Sequence, residues 1–150
     1  MEVLKRDKLF IEAECKLYSY KENKIDIKNI TEELKLIEIE LESKYPLRGH
    51  SILYTDVKVQ NSKTASSIEE WLLYQNKEYD RLLNKKIKKV KEINKIKNAL
   101  ELLNSNEKII IEMRYFERKA WSDVADKVGY SKSYCKTLRV KSIDKIKNIV

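Results

Sequence analysis

The chain has 150 residues, 42% of them hydrophobic, which is enough for one modest core or for two small domains joined by a linker. Only 2 Gly and 1 Pro occur, against an average usage of roughly 7% and 5%. Sandwiches, barrels and Gly-loop nucleotide folds are therefore excluded, and an all-α chain is expected. The net charge of +8 and pI near 9.3 suggest an anionic partner, nucleic acid or a membrane surface.

Residues 1–44 are expected to form an N-terminal helical pair. Phe10, Ala13, Leu17 and Tyr20 recur at three- and four-residue steps, the period of one helix face. Beyond a polar break at Lys21–Lys24, Ile27, Ile30, Leu34, Ile37 and Leu41 repeat the pattern. The break, KENK, either closes an antiparallel hairpin or interrupts one long helix. The hairpin is the expectation, because neither stripe buries itself alone. The opening MEVLKRDKLFIEAECK is charged throughout and unlike a secretory signal, and no apolar run approaches the ~18 residues of a membrane span. A soluble cytoplasmic protein without membrane contact is expected.

Residues 45–65 read as a linker. Pro46 disfavours helical backbone at Tyr45, Gly49 follows, and SILYTDVKVQNS alternates irregularly. Residues 66–104 read as one long basic amphipathic helix, about 35 residues or roughly 50 Å. Thr64 or Ser66 caps its start, Glu69 and Glu70 complement its dipole, and Ile68, Leu72, Tyr79, Leu83, Ile87, Val90, Ile93, Leu100 and Leu103 form its apolar stripe. The run KKIKKVKEINKIK is either a solvated face of long Lys stems or a phosphate-contacting surface.

Residues 105–150 read as three short helices. Asn104 and Glu107 form a capping box opening a helix through Phe116, with Ile110, Ile111 and either Met113 or the stem of Arg114 inward. After a polar turn at Glu117–Lys119, a second helix from Trp121 to Val128 buries Trp121, Val124, Ala125 and Val128. Gly129 stops it in a left-handed turn conformation. Ser131 caps the third helix, with Cys135, Leu138, Ser142 and Ile143 inward. Lys132, Ser133, Lys136, Thr137, Arg139 and Lys141 are left outward.

Helix, Gly-containing turn and a helix with small polar and basic outer residues are the sequence form of a helix-turn-helix, whose last helix enters the major groove of double-stranded DNA. Charge supports this: from Lys127 onward there are 7 basic residues and 1 acidic. Lys and Arg neutralise phosphate, while Ser, Thr and Tyr reach base edges. Tyr134 either packs against the first helix of the unit or reaches the DNA, and Trp121 is expected in the core.

Residues 107–146 resemble region 4 of bacterial sigma factors. RYFE is followed by WSDVADKVGYS, which stands in place of that family's Thr-Leu-x-x-[Val/Ile]-Ala-x-x-Leu-Gly-Val-[Ser/Thr]. Ala120 occupies the place of the usual capping Thr, and Ser133 and Tyr134 stand where charged residues are usual. The whole chain resembles the ArpU/RinA-type family of phage late-gene transcription regulators. The features are LYSYKENK in the N-terminal pair, the Pro-bearing linker, NSKTASSIEEWLL opening the long helix, and the C-terminal unit. The resemblance implies sequence-specific DNA binding that activates a late phage operon through RNA polymerase. It places Lys132, Ser133, Tyr134, Lys136 and Thr137 at DNA, with Lys141 at a further phosphate.

Two other readings compete: a small terminase-like packaging subunit, which would form a ring of many copies, and a helical protein-interaction module. Self-association through the N-terminal pair and long helix is expected. No enzyme is expected, since no Gly-rich phosphate loop and no nucleophile with a His base occur. No metal or cofactor is expected either: Cys15 and Cys135 stand far apart in no CxxC, and His50 is alone.

Overall fold

The computed structural model describes residues 7–44 and 63–150, the side chains of 63–68 excepted. All regular structure among these residues is helical. The elements are α1 (Lys8–Lys44), α2 (Lys63–Leu100), α3 (Ser105–Ile111) running on into a π turn at Glu112–Phe116, α4 (Trp121–Val128) and α5 (Lys132–Ile146). Pro46, Gly49, His50 and residues 45–62 of the expected linker lie outside the described residues. Because α2 begins at Lys63, Thr64 and Ser66 fall inside it, and their side chains lie outside the description.

The expected N-terminal hairpin is corrected: α1 is a single unbroken helix of 37 residues. Lys21-Glu22-Asn23-Lys24 holds neither Gly nor Pro, and Lys and Glu are among the better helix formers, so nothing there stops propagation. The two apolar stripes are one face, with Phe10, Ala13, Leu17, Tyr20, Ile30, Leu34 and Leu41 all buried. Between the stripes, half-buried Asn23 accepts a hydrogen bond from Lys89 Nζ at 3.0 Å. The apolar face is covered by other segments rather than by α1 folding back on itself.

The chain divides into two compact units, Asp26–Lys88 and the combination of Met1–Ile25 with Lys89–Val150. In the first, the later part of α1 lies antiparallel to the earlier part of α2. Ile30 and Leu34 pack with Leu82, flanked by Ile37, Tyr79 and Leu83. Tyr79 Oη donates to Glu38 at 2.8 Å, and Lys44 Nζ sits 4.3 Å from the Trp71 ring centroid. Along α2 the inward positions follow a seven-residue repeat: Leu72, Tyr79, Lys86, Ile93 and Leu100 in one row, and Gln75, Leu82, Lys89 and Ile96 in the other. Ile87, expected inward, is 43% exposed. Lys86 and Lys89 are half-buried in its stead, because long Lys stems cover apolar surface, and the Lys89 amine ends on Asn23.

In the second unit the helices α3, α4 and α5 are short, and the first part of α1 completes their core. Tyr115 is fully buried and its ring centroid lies 4.6 Å from that of Tyr18. Phe116 stacks on Tyr20 at 4.1 Å. Arg118 takes a left-handed backbone (φ 55°), unusual for a residue with a Cβ, and its guanidinium donates to Glu22 at 3.1 Å. The division expected at residue 105 thus falls inside a compact unit.

Asn104 caps α3, its Oδ1 accepting the Glu107 N–H at 2.9 Å. Glu107 is itself buried, with Lys145 Nζ of α5 donating to both carboxylate oxygens at 2.8 and 2.9 Å and Ser142 Oγ at 3.1 Å. Burial pushes this carboxyl up. The hydrogen bonds from Lys145 and Ser142, the Lys145 charge and the Asn104 backbone N–H outweigh burial and hold it below its ordinary value. A depressed folded-state pKa contributes stability that is complete above the unfolded value and lost as pH falls through the folded one. Glu107→Gln is therefore expected to destabilise the protein at neutral pH, with the deficit shrinking below about pH 4. Thermal melts of both proteins between pH 3 and 7 measure this, and a deficit constant across that range would refute the linkage.

Candidate nucleic-acid interface

The segment from α4 to α5 follows from local backbone chemistry. α4 runs from Trp121 to Val128, and Ala120 at its N-cap offers no side-chain hydrogen bond. Val124 and Ala125 pack with Ile110 of α3 and Cys135 of α5, while Met113, Trp121, Val128 and Leu138 close over this core partly buried. Gly129 stops α4 with φ 77° and ψ 23°, its N–H bonded to Ala125 O at 2.9 Å. A Cβ there would meet nothing within 4 Å, so backbone conformation alone calls for glycine.

Two residues on, Ser131 caps α5, its Oγ accepting the Tyr134 N–H at 3.2 Å. The inner face of α5 is Cys135, Ser142, Ile143 and Ile146, all fully buried. Cys135 is a small buried hydrophobe whose thiol is pushed up by burial.

Lys132, Ser133, Tyr134, Lys136, Thr137 and Lys141 are all exposed on α5. Thr137 Oγ1 donates to Ser133 O at 3.1 Å, one turn back. Tyr134 does not pack inward: it is 46% exposed and meets Tyr130 edge to face, with ring centroids 5.0 Å apart. Tyr130 is held in turn by Asn106 of α3, whose Nδ2 donates to Tyr130 Oη at 3.0 Å. Tyr130 lies just ahead of the Ser131 cap, four residues before Tyr134, and this step is the signal in the amino-acid sequence that pairs the two rings.

Arg139 is the correction. Expected outward as a phosphate anchor, it is only 16% exposed and lies 3.7 Å from the Glu14 carboxylate of α1. Its guanidinium sits 5.7 Å from the Trp121 ring centroid, and that of Arg114 sits 4.9 Å from the same centroid. The buried Nε atoms of both arginines have no hydrogen-bond acceptor among the described residues. The electron-rich face of Trp121 lies beside them. Glu14 also accepts the Tyr115 hydroxyl at 2.7 Å, and burial together with that carboxylate raises the phenol far above its ordinary pKa. Val140, not Arg139, takes the outward place, at 38% exposed.

The outward face of α5 thus presents Lys132, Lys136 and Lys141 around Ser133, Thr137 and Val140, with no acidic residue between Ser131 and Ile143. Such a face can neutralise phosphates with its ammonium groups and offer hydroxyls and methyls between them. Among the described residues no group of three or more His, Cys, Asp or Glu is placed to hold a metal ion, and no helix is long and apolar enough to cross a membrane. Comparison with family models, with curated proteins and with solved structures found no match.

Proposed function

We propose that the unit containing α3, α4 and α5 is a sequence-specific reader of double-stranded DNA, built as a helix-turn-helix with α5 as its recognition helix. One observation carries this reading: α5 is pinned along one side by four buried residues, while its opposite side is exposed and basic from Lys132 to Lys141, the one carboxylate on that side, Asp144, lying in the last turn against Lys147 at 3.2 Å. A major groove about 12 Å wide admits such a helix. Lys132, Lys136 and Lys141 would neutralise phosphates, and Ser133 and Thr137 would face base edges, with Tyr134 at the flank. The resemblance to phage late-gene regulators extends the reading to a transcription activator working through RNA polymerase in the bacterial cytoplasm.

The paired helices of residues 26–88 serve this reading as a self-association surface, supported by exposed Leu36, Ile39 and Tyr74. A protein of one or two copies in solution agrees with a regulator. A ring of many copies would favour the packaging-subunit alternative.

The test is selection of bound duplexes from a random pool by the full chain at near-physiological salt. Recovery of a shared motif is the expected result, and a smear of unrelated fragments that vanishes as salt rises would overturn it. Within a recovered site, Thr137→Ala is expected to cost about 1–3 kcal/mol and to relax preference at one position. Lys141→Ala should weaken all sequences alike. Competition binding against single-base variants distinguishes the two, and the reverse pattern would remove these assignments.

A further inference from the structure

At 100° per residue, Ser133, Thr137 and Val140 lie within about 60° of arc on α5, directly away from its buried side. Lys132 and Lys136 border this strip on one flank, and Lys141 and Tyr134 on the other. The centre of the strip is less polar than its composition suggests. Thr137 spends its hydroxyl proton on the Ser133 carbonyl at 3.1 Å, which turns its oxygen toward the helix and leaves its methyl group outward. Val140 adds two more methyls, at 38% exposure, one turn further along. From Ser133 to Val140 the outward face is therefore a small apolar strip framed by three ammonium groups, and Asp144, one turn beyond Val140 and 3.2 Å from Lys147, closes its C-terminal end.

Helix propensity does not account for Val140, since a β-branched side chain is a poorer helix former than Ala. The strip has a natural complement. In the major groove the C5 methyl of thymine is the one apolar group that a base edge offers, and phosphates line the groove on both sides. The spacing of an apolar centre between cationic flanks matches that arrangement.

We propose that Val140, together with the Thr137 methyl, is a specificity-determining contact that selects thymine by its C5 methyl. This rests on the reading of α5 as the recognition helix, and it names what that helix reads.

Replacing thymine by deoxyuridine removes the methyl and leaves every hydrogen-bonding group in place. The experiment uses the full chain and the duplex motif recovered by selection from a random pool, with each thymine replaced in turn. For the unaltered protein, one or two positions are expected to lose affinity roughly fourfold each, the equivalent of one buried methyl group. Val140→Ala should bind thymine and deoxyuridine at one of those positions equally, with a thermal midpoint no lower than that of the parent. A merely structural role for Val140 would move the midpoint and leave the thymine preference intact.

Three results overturn the inference. If no deoxyuridine substitution matters, methyl recognition is absent while DNA reading stands. If Val140→Ala keeps the full thymine preference, the methyl is read by another residue. If selection yields no shared motif, the reading of α5 and this inference fall together.

Discussion

Replacing Tyr115 with Ala is expected to remove about 3–5 kcal/mol of stability from the unit that contains α3, α4 and α5. Tyr115 is fully buried, its ring faces Tyr18 of α1, and its hydroxyl donates to Glu14 at 2.7 Å. Truncation to Ala leaves a cavity where the ring was and removes a hydrogen bond to a carboxylate that is itself largely buried. Glu14 retains Arg139 at 3.7 Å, so the charge is not stranded. Tyr115→Phe isolates the hydroxyl and is expected to cost about 1.5–3 kcal/mol, the usual worth of a hydrogen bond to a charged group. The chain has two tryptophans, Trp71 in one unit and Trp121 in the other. Urea titration followed by Trp121 fluorescence in a Trp71→Phe background therefore reports on the unit that matters. A loss below about 1 kcal/mol for Tyr115→Ala would contradict the buried position.

Removing Lys132, Lys136 and Lys141 together, each to Ala, is expected to lower affinity for any duplex by roughly two orders of magnitude at physiological salt. Each phosphate contact contributes about 0.9 to the slope of log affinity against log salt, so the slope should flatten by about 2.7. All three residues are exposed on α5, so their loss should leave the melting curve of the unit nearly unchanged. Titrations at several salt concentrations measure this directly. An unchanged slope would mean that α5 does not face the phosphates, whatever else the protein binds. Arg139→Ala provides the contrast. Its partner is Glu14 rather than solvent, so its removal acts on stability, and a salt-slope change from it alone would contradict its inward placement.

The α4–α5 segment is legible in the amino-acid sequence because its limits rest on local backbone rules. A glycine suits the left-handed stop at residue 129, and a serine two positions on satisfies the first free N–H groups of α5. The continuity of α1 is not legible there, and the reason is specific. Two apolar stripes on one face look the same whether the chain folds back between them or continues, and KENK carries no stop signal. Along α2 the apolar residues Leu83, Ile87 and Val90 suggest one phase. The half-buried Lys86 and Lys89 show another, because side-chain length lets a lysine occupy a seam position that its charge argues against.

The amino-acid sequence by itself determined the helical class, the chain order of the elements from α2 onward, the starts of α3, α4 and α5 and the basic character of α5. These follow from propensity, capping and composition, which act over a few residues. Which side of α5 faces outward at Arg139 and Val140 was decided by the tertiary structure alone. A periodicity of 3.6 leaves adjacent residues near the boundary between faces, and the choice falls to whatever packs there. Glu14 on α1 offers a carboxylate and Trp121 an aromatic face, so the guanidinium turns in and the valine is left out. Tyr115 reached its buried place for the same reason, through Tyr18 and Glu14 on a helix far earlier in the chain.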